Sequence, residues 1–162
     1  MLGKCLCGAV GFVVSGTLPN IYQCHCSLCR KSTGAFANAA LIVPGSQFQW
    51  VSGQGCINSY ENESGYRSDF CAKCGSPLPN PLEGRTGYWG PVGLLEGKAD
   101  LEVAAHMHVG SKSSWEVIAA GGTHYQDAPA LDCLLPLLRK NLAAGACRAP
   151  IPESGHLEPP LN

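Results

Sequence analysis

Seven of the ten cysteines fall into three tight groups: Cys5 and Cys7, then Cys24, Cys26 and Cys29, then Cys71 and Cys74. Thiolates at C-x-C and C-x2-C spacing converge readily on one cation, whereas the two members of a C-x-C are poorly placed for an ordinary disulfide. The chemistry this pattern points to is zinc ligation. A closed site built from cysteine alone takes four sulfurs, so seven sulfurs divide as four plus three. The smaller set leaves a coordination position for something else, and an open position separates catalytic zinc from structural zinc.

Cys5, Cys7, Cys71 and Cys74 can close one structural site that ties together segments more than sixty positions apart, with folding coupled to metal uptake. This pairing follows cluster order, and another division of the seven remains open. Cys24, Cys26 and Cys29 then form the second site, with His25 between the first two. Its fourth ligand is water, an incoming thiol, or a protein group among Cys56, His106, His108 and His124. A thiol bound there loses its proton and becomes a positioned nucleophile. Arg30 and Lys31 follow the cluster directly and can offset sulfur charge or hold a substrate carboxylate. Arg67 is a further anion-binding candidate, and His25 a proton donor or acceptor near the metal. Tyr60, Tyr66 and Tyr88 offer pocket hydroxyls or packing rings. Cys133 and Cys147 read as buried or free thiols.

The elements that must position these groups are short. Strands are expected over 9–15, 21–24, 36–43, 48–51, 57–60, 66–70, 88–95, 101–109 and 115–119, separated by Gly and Pro turns. The Cys26–Cys29 and Cys71–Cys74 pairs read as two knuckle-like turns, with Gly75 relieving crowding after the second. His106 and His108 share a face by the period-2 rule, and Trp115 is expected to bury against a sheet. Leu131, Leu134, Leu135, Leu138 and Leu142 recur at helical spacing, but Pro136 lies among them. The expectation there is a short helix starting near Pro136, or a loop. Residues 1–144 read as one mainly β domain with a short C-terminal helix or loop, and residues 145–162 as a Pro/Gly-rich tail.

At 162 residues, one domain with a modest core is expected, reinforced by metal. Charged residues make up only 14% of the chain and the formal net charge is -1, with no basic stripe, which argues against a nucleic-acid partner. Neither a signal-peptide segment nor a membrane-spanning run is visible, so a cytoplasmic protein off the membrane is expected. That setting favours metal ligation over a disulfide framework. Exposed sheet edges allow a homo-oligomer.

The opening Cys5-Leu-Cys7-Gly-Ala-Val-Gly-Phe12, the central Cys24-His-Cys26-Ser-Leu-Cys29-Arg-Lys-Ser-Thr-Gly-Ala-Phe36 and the later Phe70-Cys71-Ala-Lys-Cys74-Gly-Ser-Pro-Leu78 occur in that order. Together they resemble the glutathione-dependent formaldehyde-activating enzyme family, which includes centromere protein V. His106-Met-His-Val-Gly-Ser-Lys-Ser-Ser-Trp115 resembles its final strand and turn. The resemblance covers roughly residues 4–120. It implies a β-tent fold of small twisted antiparallel sheets around two zinc ions. Structural zinc falls at Cys5, Cys7, Cys71 and Cys74, and the catalytic or glutathione-engaging site at Cys24, Cys26 and Cys29.

The implied reaction is carbon–sulfur lyase chemistry, joining glutathione and formaldehyde as S-hydroxymethylglutathione or cleaving that adduct, with His25 or water as proton donor. Two departures from the family pattern stand out. Asp69 sits between Arg67 and the Phe70–Cys71 pair and brings negative charge toward the thiolates, and Cys56 is not expected. The alternative function is a non-enzymatic zinc-stabilised module that binds a partner or senses thiols and aldehydes.

Overall fold

A computed structural model describes residues 1–82, 84 and 87–140 of the chain. The expected tail, 145–162, and Cys147 lie outside the described residues. In chain order the elements are β1 (Leu2–Lys4), β2 (Gly11–Val14), β3 (Ile21–Cys24), α1 (Ser27–Thr33), β4 (Asn38–Pro44), β5 (Phe48–Ser52) and β6 (Ile57–Glu61). There follow β7 (Arg67–Cys71), β8 (Pro77–Leu78), β9 (Asn80–Pro81), β10 (Gly87–Pro91), β11 (Val103–Met107), β12 (Thr123–His124) and α2 (Leu131–Leu138). The protein is mainly β, as its Gly- and Pro-rich composition predicts. The strands build three small sheets, ordered β1-β2-β5, β12-β11-β3-β4-β10-β9 and β6-β7-β8.

The central sheet is mixed. Strand β3 lies antiparallel to β4, with Cys24 opposite Asn38, and parallel to β11, with Cys24 opposite Met107. A parallel neighbour demands a long crossover, so the two strands that flank the second cysteine group come from distant parts of the chain. One face of this sheet buries Tyr22, Cys24, Ala40, Ile42 and Ala105 against Leu134 and Leu138 of α2. A second apolar cluster gathers Phe12, Val14, Leu18, Leu41 and Val43. There Phe48 stacks on Tyr88 with ring centroids 3.9 Å apart. The third cluster, Cys5, Val10, Cys71 and Leu78, surrounds the first metal candidate.

Three local expectations change. The Cys26–Cys29 pair is no free-standing knuckle but the first turn of α1, where Cys26 is the N-cap and its sulfur accepts the Cys29 amide at 3.4 Å. Residues 115–119 form no strand, and Trp115 is 74% exposed. A turn closed by the Glu116 amide on the Ser113 carbonyl buries Glu116 and leaves the indole outside. The C-terminal helix starts at Leu131, ahead of Pro136. The proline sits near the C-terminal end, where it removes one amide-to-carbonyl bond of the helix, and buried Leu134 and Leu138 hold the helix against the sheet in spite of that loss. Among the described residues, no helix is long and apolar enough to cross a membrane.

Candidate metal centres and adjoining pocket

Cys5, Cys7, Cys71 and Cys74 come together as four sulfurs all within 4.8 Å of one another. Each pair is carried on a tight turn. The Gly8 amide returns to the Cys5 carbonyl at 2.9 Å and the Gly75 amide to the Cys71 carbonyl at 2.8 Å. Gly8 and Gly75 both have φ of 73°, where a Cβ would be strained. The Leu6 amide donates to Ser76 Oγ at 3.0 Å and clips the two turns to each other.

A tetrahedron with metal–sulfur bonds of about 2.3 Å has an edge of about 3.8 Å. The Cys5–Cys7 and Cys7–Cys71 sulfur separations, 3.6 and 3.9 Å, bracket it. All four are free cysteines, so the donor set fits a soft-liganded tetrahedral ion. Ser76 hydroxyl and amide, helped by the Cys7 amide, hold the Cys74 thiol down to about 5. Against the lowering pull of the Ala9 amide, the sulfurs of Cys5 and Cys74 push Cys7 up to about 11. Crowded thiols share protons in this way until a cation takes their place.

Cys24, Cys26 and Cys29 form the second group, again with sulfurs within 4.8 Å of one another. Strand β3 delivers Cys24, and the N-terminal turn of α1 brings Cys26 and Cys29 onto the same side. A hydrogen bond with Cys29, aided by the Cys26 amide and the charge of His108 but opposed by burial, lowers Cys24 to about 6. Cys29 moves the other way, raised by its bond to Cys24 and by burial. Among the described residues this group stops at three ligands. Cys56 packs beside the four-cysteine group instead. His124 is exposed on β12, with its ring centroid 4.7 Å from that of His106. His108 leaves β11 with φ of 55°, the one non-glycine residue at positive φ among those described. Cys133, expected as a buried or free thiol, is disulfide-bonded.

A cavity of about 600 Å³ opens beside Cys24 and Cys29. Its walls include Asn38 and Met107, the two sheet neighbours of Cys24, together with Tyr22, Tyr66, Asn80, Trp89, Glu61 and Arg67. Burial, then the nearby sulfurs, raises the phenol of Tyr22, and burial raises that of Tyr66 against the lowering pull of its bond to Ser32. Tyr66 donates to Ser32 Oγ at 2.8 Å, joining the β6–β7 connection to α1. Asn80 Oδ1 is buried without a hydrogen-bond partner.

Arg67, a sequence candidate, reaches this pocket, but its guanidinium pairs with Asp69 through Nε at 2.8 Å and Nη2 at 3.0 Å. The acidic departure noted in the sequence is thus neutralised. Arg30 turns its Nη1 onto the carbonyls of His25 (2.6 Å) and Ser111. Lys31 is exposed on α1.

His25 is 1% exposed. Its Nδ1 lies 2.6 Å from Glu116 Oε1 and its Nε2 lies 3.1 Å from His106 Nδ1. Burial first, then repulsion from His124 and His25, lowers the basicity of His106. Sequence reasoning missed Glu116, Asn38, Asn80 and Trp89. Nothing in their spacing marks them, because tertiary pairing alone brings them to the cysteines.

A family profile described as "Glutathione-dependent formaldehyde-activating enzyme" matches residues 1–111. The chain belongs to this family. Both cysteine groups of this glutathione-dependent formaldehyde-activating family member lie inside the matched span, and Glu116 lies beyond it. A protein of Halomonas elongata named "Putative glutathione-dependent formaldehyde-activating enzyme" is 33% identical over 82 residues, 47% of this chain and 52% of that protein. The chain thus aligns with about half the length of that curated relative. A crystal structure of a Rhodobacter sphaeroides protein superposes with a TM-score of 0.51 at 29% identity, covering 62% of this chain and 92% of the other.

Proposed function

We propose that this family member is a zinc-dependent carbon–sulfur lyase of β-tent architecture that forms or cleaves S-hydroxymethylglutathione or a related small thiol adduct. One observation carries the reading. Three convergent cysteine sulfurs, with no fourth His, Cys, Asp or Glu completing the set among the described residues, stand beside a pocket of about 600 Å³ that Cys24 and Cys29 help to line. A closed structural site needs four protein ligands, and the other group has them.

Zinc held by Cys24, Cys26 and Cys29 would supply a Lewis-acidic open position at which a thiol ionises near neutral pH. The remaining work falls to the pocket. Trp89 and Met107 give the cavity apolar lining. Asn38 and Asn80 offer amide groups to a peptide-like thiol, and the unpartnered Asn80 Oδ1 suits an N–H donor. Arg67 attracts a carboxylate, tempered by Asp69.

The thiolate sulfur then attacks the aldehyde carbon, the carbon–sulfur bond forms as the carbonyl π bond breaks, and the oxygen takes a proton. Water supplies that proton, since both ring nitrogens of His25 are engaged inside the protein and the Tyr66 hydroxyl donates to Ser32. Cleavage runs through the same groups in reverse. The free cysteines of both centres suit a reducing, cytoplasmic setting, whereas the disulfide at Cys133 pulls the other way.

Exchange NMR on glutathione and formaldehyde with catalytic zinc-loaded protein tests this. Interconversion is expected to exceed the spontaneous rate, and Cys29→Ser is expected to return it to that rate. Equal rates with and without wild-type protein, in a sample that binds two zinc ions, would sink the lyase reading and leave thiol or aldehyde binding.

A further inference from the structure

His25 is a residue with no freedom left. Its amide donates to the Met107 carbonyl at 2.9 Å, and its carbonyl takes Arg30 Nη1 at 2.6 Å. Glu116 meets its Nδ1 at 2.6 Å, and His106 its Nε2 at 3.1 Å. Two of the three cysteines in the second group are its immediate chain neighbours. Whatever fixes the His25 ring and peptide therefore fixes the Cα–Cβ directions of Cys24 and Cys26.

Glu116 is the distal end of this arrangement. It is 7% exposed, its own carbonyl accepts Lys112 Nζ at 3.0 Å, and a turn from Ser113 points it inward. Arg30 reaches the Ser111 carbonyl in the same segment. Residues 111–116 thus grip the cysteine loop at two points, once through Arg30 and once through Glu116. A buried carboxylate is an expensive way to fill space. Packing alone would be served by an apolar side chain, whereas a carboxylate oxygen sets the direction of an imidazole N–H.

We propose that Glu116 is a positioning residue for the three-cysteine centre, acting through His25 to hold Cys24 and Cys26 in metal-binding geometry. The proposal rests on the reading that this centre holds a metal ion. Groups one step removed from a metal typically change its affinity by about 10- to 100-fold when removed.

Cobalt(II) titration of the metal-free full chain provides the test, because thiolate-to-cobalt charge-transfer and d–d bands report each tetrahedral site as it fills. Wild type is expected to take two ions in separable steps. Glu116→Ala is expected to leave the tighter, four-cysteine step unchanged, an internal proof of folding, while weakening the second step about 10- to 100-fold. Glu116→Gln, which keeps an acceptor oxygen at the same reach, is expected to recover most of that loss.

Loss of both steps together in Glu116→Ala would make Glu116 a general stability residue and overturn the proposal. An unchanged second step, or no recovery in Glu116→Gln, would overturn it as well. A wild-type chain that binds only one cobalt would instead defeat the three-cysteine metal centre itself, and the proposal with it.

Discussion

At the scale of single residues, pairing decides which charges remain available to a ligand. Arg67 faces the pocket beside Cys24 and Cys29, yet both its Nε and Nη2 are taken by Asp69, whose side chain is 5% exposed against 41% for the arginine. The pairing raises the already high basicity of the guanidinium, so Arg67 stays a cation at every working pH, but one neutralised on its inner side. An anionic thiol entering the pocket therefore meets a dipole where an unpaired arginine would present a full charge. Asp69→Asn releases the charge while keeping size and hydrogen-bonding shape. Because the arginine is well over a third exposed, solvent limits the gain to about 1 kcal/mol, at most about fivefold in affinity. Calorimetric titration of zinc-loaded protein with glutathione should show tighter binding in Asp69→Asn, with a difference that shrinks as salt is added. Equal affinities at low salt would place Arg67 outside the ligand's reach.

The elements show why the cysteines were legible and their surroundings were not. Ligand spacing is a local property, so Cys5–Cys7, Cys24–Cys29 and Cys71–Cys74 could be read directly, and β3 and β5–β7 follow closely from short segments with strand-forming residues bounded by turns. The α1 helix was hidden because Ser27–Thr33 carries no apolar stripe and buries nothing. It forms because Cys26 caps its start and Gly34, at φ 66°, ends it. The strand expected over 115–119 is absent: Trp115 stays outside, and the residue that goes inside is Glu116, which meets His25 from across the fold. Helix α2 illustrates the opposite case. Its leucine spacing was plain, and packing on the central sheet overrides Pro136. Leu138, 1% exposed, packs in the same cluster as Cys24. Leu138→Ala should cost about 2–5 kcal/mol, measurable as a lower urea midpoint at unchanged slope. A loss below about 1 kcal/mol would mean that the sheet face is stable without this helix.

For the molecule as a whole, the two centres differ less in their ligands than in what they connect. The four-cysteine group joins Cys7 to Cys71 across 64 positions, linking β1 and β2 to the β7–β8 turn. The three-cysteine group is confined to one strand end and one helical turn, with Cys26 and Cys29 only 3 positions apart. Loop-closure entropy grows as (3/2)RT times the logarithm of loop length, so the longer link constrains the unfolded chain by roughly 3 kcal/mol more than the short one. The four-cysteine turns also form the centre of their own small core with Val10 and Leu78. Chain geometry therefore predicts unequal consequences for the loss of one sulfur. Cys74→Ser should lower the melting temperature sharply and expose β1 and β7 to protease, with the near-UV dichroism of the Phe12–Trp50 cluster collapsing. Cys29→Ser should keep that dichroism and most of the thermal stability while losing one metal equivalent. Thermal melts of both variants, each with metal content measured on the same sample, make the comparison. Equal destabilisation by the two would show that the second centre also holds the fold together, and the division between a structural and a working site would fail.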